Sequence, residues 1–277
     1  MWRKRALLVF LLFHVQQICS TKEQKHDCPT SSCGKITNIR NPFRLKDDPK
    51  RCGDNRYELA CENNVTVLYL YSVGYHVQAI NYNNFTIRVV DPGVNQHPNC
   101  SSLPRHFLSQ SNFSDTYSRY YEAMDPYQAI QKRGFRFNYY LNVVFQHVVF
   151  MNCITPVTDN RKYVDTSRCV DWDSKGHSYA IAGDLKAEDF EIGCHVKLVA
   201  PTSWWGLDTD KYSYTLMHRA LVYGFEISWM HFACEEDCEE HESCYFDIYK
   251  HKPRCMFGCS SFPWEKEKKC GKGKLNY

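Results

Sequence analysis

Val65-Thr66-Val67-Leu68-Tyr69-Leu70-Tyr71, then Ser72-Val73-Gly74, then His76-Val77-Gln78-Ala79-Ile80, is the stretch that decides the fold class. Successive side chains of an extended chain point to opposite faces. Val65, Val67, Tyr69 and Tyr71 therefore share one face, and Thr66, Leu68 and Leu70 the other. The β-branched and aromatic residues suit a pleated, half-buried surface. Residues 85–90 supply another such run. Residues 72–74 and 81–84 read as turns, and Asp91-Pro92-Gly93 closes the series. The pattern predicts an antiparallel β-meander over residues 57–90.

Working outward, residues 99–135 are polar and interrupted by Pro104 and Asp125-Pro126, which predicts loop or linker. A longer strand at 141–150 then opens a second β-rich unit, with further strands at 193–199 and 225–232. One short helix is expected from an Asp184 N-cap through Ala187 to Phe190. Another is expected over 212–222, where Leu216, Ala220 and Tyr223 have helical spacing and Gly224 ends the run. There is no fixed-period repeat and no alternation of strands with helices, which disfavours doubly wound folds. The expected fold is mainly β and disulfide-rich, with two stapled β-rich modules and one or two short helices in the second.

The 277 residues are 43% hydrophobic and 23% charged and contain 15 cysteines. That is a globular composition. Residues 1–20 read as a secretory signal peptide. Arg3, Lys4 and Arg5 precede an apolar run over 6–13, and Cys19-Ser20 offers a small-residue exit. That run is too short to span a bilayer, and no later stretch reaches spanning length. Cleavage after Ser20 would leave 14 cysteines and 31 bases against 31 acids. A neutral, exported chain argues against nucleic-acid binding. Four acceptor sequons, at Asn64, Asn84, Asn99 and Asn112, point to glycosylation in an extracellular protein.

Exported thiols oxidise, so all fourteen remaining cysteines are expected in disulfides. Cys28, Cys33, Cys52, Cys61 and Cys100 lie in the first half. Cys153, Cys169, Cys194, Cys234, Cys238, Cys244, Cys255, Cys259 and Cys270 lie in the second. Both groups are odd in number, so full pairing requires at least one bridge between the halves. Connectivity itself stays open. Zinc at the 234–259 cysteine run, with His231, His241 and His251 nearby, is the weaker reading, and no metal or cofactor is expected. The acids of 235–247 read as a solvated face, and the basic tail 260–277 as an exposed end.

From Cys33 the sequence resembles a known family. Cys33-Gly34-Lys35-Ile36, Asn38-Ile39-Arg40-Asn41-Pro42-Phe43-Arg44-Leu45, Asp48-Pro49, Cys52-Gly53 and Tyr57-Glu58-Leu59-Ala60-Cys61 are similar to the galacturonan-binding module of plant wall-associated receptor kinases. The branch most resembled is the leaf-rust-resistance-locus-like receptor kinases. Tyr163-Val164-Asp165, the run 221–229 and the cysteines from Cys234 to Cys259 resemble the C-terminal associated module of the same ectodomains. The resemblance implies a galacturonan-binding-like module at 21–98, an irregular linker at 99–140 and a cysteine-rich module at 141–259. Two features depart from it. Asn41 stands where an aromatic usually precedes Pro-Phe, and the membrane-spanning helix and kinase that normally follow are missing.

The residues of the first block suit an anionic saccharide. Lys35, Arg40, Arg44, Lys46, Lys50, Arg51 and Arg56 face only Asp47, Asp48 and Asp54. Arginine forks bind carboxylates, and Phe43 and Tyr57 offer rings to stack on sugar C–H surfaces. The competing reading is a solvated loop whose bases pair with neighbouring acids. The expected function is non-catalytic, extracellular binding of pectic polysaccharide or oligogalacturonide. A peptide or co-receptor is the alternative partner. Enzymatic readings are thin: Gly176-His177-Ser178-Tyr179-Ala180 is one residue from a nucleophile elbow, and Asp171 and Asp173 form a chance-level carboxylate pair.

Overall fold

Two extended segments, β1 (Ser31–Cys33) and β2 (Ile36–Ile39), form a hairpin whose turn falls at Gly34. Gly34 has φ +56°, and a Cβ there would meet the Asn64 carbonyl oxygen at 2.1 Å. Only glycine fits such a position. A two-residue strand, β3 (Arg44–Leu45), then pairs in parallel with β4 (Glu58–Glu62). The alternating stretch becomes β5 (Val65–Leu70), β6 (Val73–Asn81) and β7 (Thr86–Val90), joined to β4 as the antiparallel meander that the periodicity predicts. Thr66, Leu68 and Leu70 face inward, whereas Val65, Tyr69 and Tyr71 are exposed.

The computed structural model describes residues 28–95, 100–113, 125–135, 138–170, 176–205, 207, 213–239 and 242–257. Ser31–Tyr277 form one compact unit, and of the separate unit Met1–Thr30 only 28–30 are described. The signal-peptide segment, Asn99, Asp171, Asp173, Cys259, Cys270 and the tail lie outside the described residues.

Much of the predicted linker is structured. It contains β8 (Ile130–Phe135) and the start of β9 (Asn138–Val143), and it places Leu108, Phe113, Tyr127 and Ala129 in the core. The single strand expected at 141–150 is two, because the chain changes sheets at Val144-Phe145. Here β9 pairs with β8, whereas β10 (Gln146–Cys153) enters another sheet. Both linking residues are buried, and the Val144 N–H donates to Ala129 O at 2.9 Å. Continuous apolar character hid that break. Next come β11 (Val164–Asp165), β12 (His177–Ala182) and β13 (Cys194–Thr202), which with β10 make an antiparallel sheet in the order β11-β12-β10-β13. The helix expected from Asp184 is only a 3₁₀ turn at Ala187–Asp189. The helix expected at 212–222 is α1 (Tyr214–Tyr223), ended at Gly224.

Residues 225–232 are half strand and half helix. β14 (Phe225–Ser228) is followed by α2 (Met230–Asp237). The Ser228 hydroxyl accepts the Met230 N–H at 3.2 Å. A side-chain bond of this local kind turns the chain out of the sheet. β15 (Glu242–Asp247) and β16 (Lys252–Phe257) complete a sheet in the order β16-β15-β8-β9.

The boundary expected near residue 98 does not divide this unit. β14 pairs with β7, so the six-stranded sheet runs β14-β7-β6-β5-β4-β3 and takes a strand from each half. One core cluster joins Phe43, Tyr57, Leu68 and Ile87 to Phe145, Phe225, Trp229 and Phe232. A second packs α1 on the β10 sheet through Met217, Leu221, Val148 and Ala200. Disulfides link Cys33–Cys61, Cys100–Cys169, Cys153–Cys194, Cys234–Cys244 and Cys238–Cys255, and Cys28 and Cys52 are also disulfide-bonded. Cys100–Cys169 is the bridge between halves that the odd counts require.

Candidate functional site

The structure scatters the nine predicted contact residues. Phe43 and Tyr57 are fully buried, and each ring meets other rings edge-on: Phe43 with Trp229 at 5.4 Å, and Tyr57 with Phe232 at 5.5 Å. They are core residues and offer no face to a sugar. The Tyr57 hydroxyl donates to Pro126 O at 3.0 Å, and burial pushes its pKa above the usual tyrosine value.

Arg44 is also buried, at 3% exposure. Its guanidinium pairs with Glu58 and donates to Asn55 Oδ1 at 2.8 Å and Leu45 O at 3.2 Å. Gly53 lies against it: a Cβ there would approach Arg44 Cβ at 2.9 Å and Pro42 O at 2.7 Å, which explains the glycine after Cys52. An arginine so enclosed knits β3 to β4 and cannot reach a polymer.

Arg56 is exposed but engaged. It contacts Asp54 at 2.8 Å and forks onto Glu235 at 2.6 and 3.0 Å, and Glu235 also meets His231 Nε2 at 2.8 Å. The expected solvated acidic face is thus partly occupied. Glu235 is paired with Arg56, and Asp247 is 3% exposed and accepts the Tyr249 and Lys250 amides at 3.0 Å each. The hydrogen bond from Arg56 holds the Glu235 carboxyl below its ordinary 4.5. A depressed carboxyl pKa stabilises the fold above the unfolded-state value, and that contribution disappears as pH falls through the lower folded value. Arg56→Gln should therefore lower stability at neutral pH by no more than about 1 kcal/mol, since the pair is exposed. The gap should close below pH 4.5, which denaturant midpoints at both pH values would check.

The other bases are on the surface. The Arg40 guanidinium lies 4.5 Å over the Tyr82 ring. Lys46, Lys50 and Arg51 are exposed around β3, the last two on a 3₁₀ turn, with no acidic partner among the described residues. Lys35, beside the hairpin turn, donates to Gln78 Oε1 on β6. Burial and the neighbouring Arg88 guanidinium lower its pKa from the usual lysine value. Sequence reasoning missed Arg88, a lone base in an apolar strand, half-buried between Thr86 and Val90 on the same face of β7.

The alternatives to binding fare poorly on geometry. Ser178 sits inside β12 opposite Asn152, with its carbonyl accepting from the Thr166 N–H and hydroxyl. No strand–turn–helix elbow exists there. Cys238, Glu242 and Cys255 bring ligand atoms within 4.8 Å of one another, but the two sulfurs are bonded to each other. Such a pair offers no thiolates to a metal. Asn64, Asn84 and Asn112 lie at turns, Asn64 and Asn112 exposed. Among the described residues, no helix is long and apolar enough to cross a membrane.

The described residues thus form disulfide-stapled, mainly antiparallel sheets that carry exposed bases around β3. Residues 28–91 match the family described as wall-associated receptor kinase galacturonan-binding, so the chain carries a module of plant receptor-kinase ectodomain type. A curated relative is the leaf rust 10 disease-resistance locus receptor-like protein kinase-like 2.1 of Arabidopsis thaliana. It is 32% identical over 85 residues, which is 30% of this chain and 13% of that protein. The chain thus spans a small part of that relative's length. No solved structure matches it.

Proposed function

We propose that the chain binds pectic polysaccharide or oligogalacturonide outside the cell, without catalysis, as the ligand-reading part of a receptor-kinase-type ectodomain. The observation that carries this reading is the coincidence of the galacturonan-binding match over 28–91 with bases in the same segment, Lys46, Lys50 and Arg51, that are exposed and unpaired among the described residues.

Exposed base–carboxylate contacts contribute about 0.2–1 kcal/mol each, so useful affinity needs several at once along a repeating polyanion. Titration calorimetry with oligogalacturonate should show binding that weakens with salt and vanishes when the carboxylates are methyl-esterified. The combined Lys46→Gln, Lys50→Gln and Arg51→Gln change should weaken it about tenfold. No binding by the parent protein at low salt would sink the reading. One observation favours a protein partner instead: β9 is the edge of its sheet and exposes Tyr139, Tyr140 and Leu141. That surface suits strand addition by a peptide or co-receptor.

A further inference from the structure

Lys35, in the turn between β1 and β2, reaches across to Gln78 on β6, next to Ala79, which is the cross-strand neighbour of Arg88 on β7, and the described residues give neither base a carboxylate. Lys35 donates to an amide oxygen, Gln78 Oε1. Glu226 is the cross-strand neighbour of Arg88, yet their side chains form no ion pair. The guanidinium turns instead to Tyr223, donating from one terminal nitrogen to Tyr223 O at 2.6 Å and lying 4.3 Å over its ring. The other terminal nitrogen and Nε have no partner among the described residues. Burial and the neighbouring Arg88 cation both lower the Lys35 pKa. An anion placed between the two bases removes their repulsion and takes up the unused donors.

An aromatic wall adjoins this pair. Trp204 stands edge-on to Tyr223 at 5.7 Å between centroids and is 41% exposed. Its backbone is fixed on several sides. The Trp204 N–H donates to Thr202 Oγ1 at 3.2 Å, and Trp204 O accepts from Gln146 Nε2 at 2.7 Å. The preceding Ser203 donates from N–H to Gly224 O and from its hydroxyl to Val144 O, at 2.9 and 2.6 Å. A large ring held in water by a rigid backbone loses little freedom when a ligand covers it. A hexuronate has the matching chemistry: one carboxylate, and an axial C–H surface that packs on aromatic rings.

We propose that Lys35, Arg88 and Trp204 form a subsite for one uronate residue of an acidic polysaccharide, with Tyr223 as the positioning residue that aims Arg88. The two bases hold the carboxylate, and Trp204 takes the C–H face. This proposal rests on the pectin reading and deepens it. It also places part of the subsite outside residues 28–91, so the matched segment alone would lack the aromatic wall.

The test titrates the whole folded chain with trigalacturonate, its methyl ester and inorganic sulfate, following tryptophan fluorescence and heat. Arg88→Gln and Trp204→Ala should each weaken trigalacturonate binding about tenfold, Lys35→Gln severalfold, and Lys186→Gln, at an exposed base outside both sets of contacts, less than about twofold. The methyl ester and sulfate should bind far more weakly than trigalacturonate. If Arg88→Gln does not fold, the exposed Lys35→Gln and Trp204→Ala variants carry the test. A parent that binds while Trp204→Ala and Lys35→Gln bind equally well overturns the subsite and leaves the pectin reading standing. Weakening that is the same for Lys35→Gln and Lys186→Gln, with Trp204→Ala silent, also overturns it, because diffuse charge would then suffice. A parent that binds longer oligogalacturonate but no trigalacturonate overturns the subsite alone, and one that binds neither overturns both.

Discussion

Phe43→Ala should lose about 3–5 kcal/mol of stability, the range for deleting a buried phenylalanine ring. Phe43 is fully buried, and its ring contacts Tyr57, Tyr82 and Trp229 edge-on at 5.8, 6.2 and 5.4 Å. Those neighbours cannot collapse easily into the space. The Trp229 N–H is tied to Phe85 O at 2.8 Å, and the Tyr82 hydroxyl sits between Arg40 N and the carbonyls of Asn38 and Arg40. Urea or guanidinium unfolding with the disulfides intact would measure the loss. Phe43→Leu should cost much less, because it retains most of the volume. Folded Phe43→Ala protein should bind oligogalacturonate like the parent. A loss under about 1 kcal/mol, or a selective loss of binding, would return Phe43 to the surface and to the ligand.

The second large effect concerns Cys100–Cys169, whose partners are 69 residues apart and lie in different halves. In the chain-entropy picture, removing it by Cys100→Ser with Cys169→Ser should cost about 4 kcal/mol. Cys234–Cys244, with a separation of 10, closes a much shorter loop. That loss should cost about 3 kcal/mol on the same account. Both cysteines of the longer bridge pack against the cluster under α1, so its loss also loosens that core. Thermal unfolding of the two double-serine variants would compare them. A smaller shift for the Cys100–Cys169 variant than for the Cys234–Cys244 variant would show that the halves are held by packing rather than by this bridge.

Arg44 illustrates how a binding candidate becomes a structural residue. Arg40, Lys46, Lys50 and Arg51 surround it in the sequence, and a base in a basic stretch reads as surface. In the fold, β3 lies parallel against β4, which sets Arg44 opposite Glu58, and Asn55 completes the enclosure. Arg44→Ala should therefore unfold the edge of the sheet before it reports on any ligand.

Local pattern alone determined a good part of this protein. Alternation over residues 57–90 specified the meander and set Thr66, Leu68 and Leu70 on the face opposite Val65, Tyr69 and Tyr71, while the burial of Val67 on that second face came from the tertiary structure. Alternation could do so because a strand's period is set by the backbone itself. Helical spacing with a closing glycine specified α1, and the odd cysteine counts required a bridge between halves. Tertiary structure decided the rest. Phe43 and Tyr57 look like exposed stacking rings until Trp229 and Phe232, far later in the chain, cover them. The apolar run 141–150 gives no sign that it passes from one sheet to another, and Arg88 is an isolated base until Lys35 and Tyr223 come beside it. Periodicity records which side of a segment is apolar, whereas burial and charge pairing depend on which distant segment arrives against it.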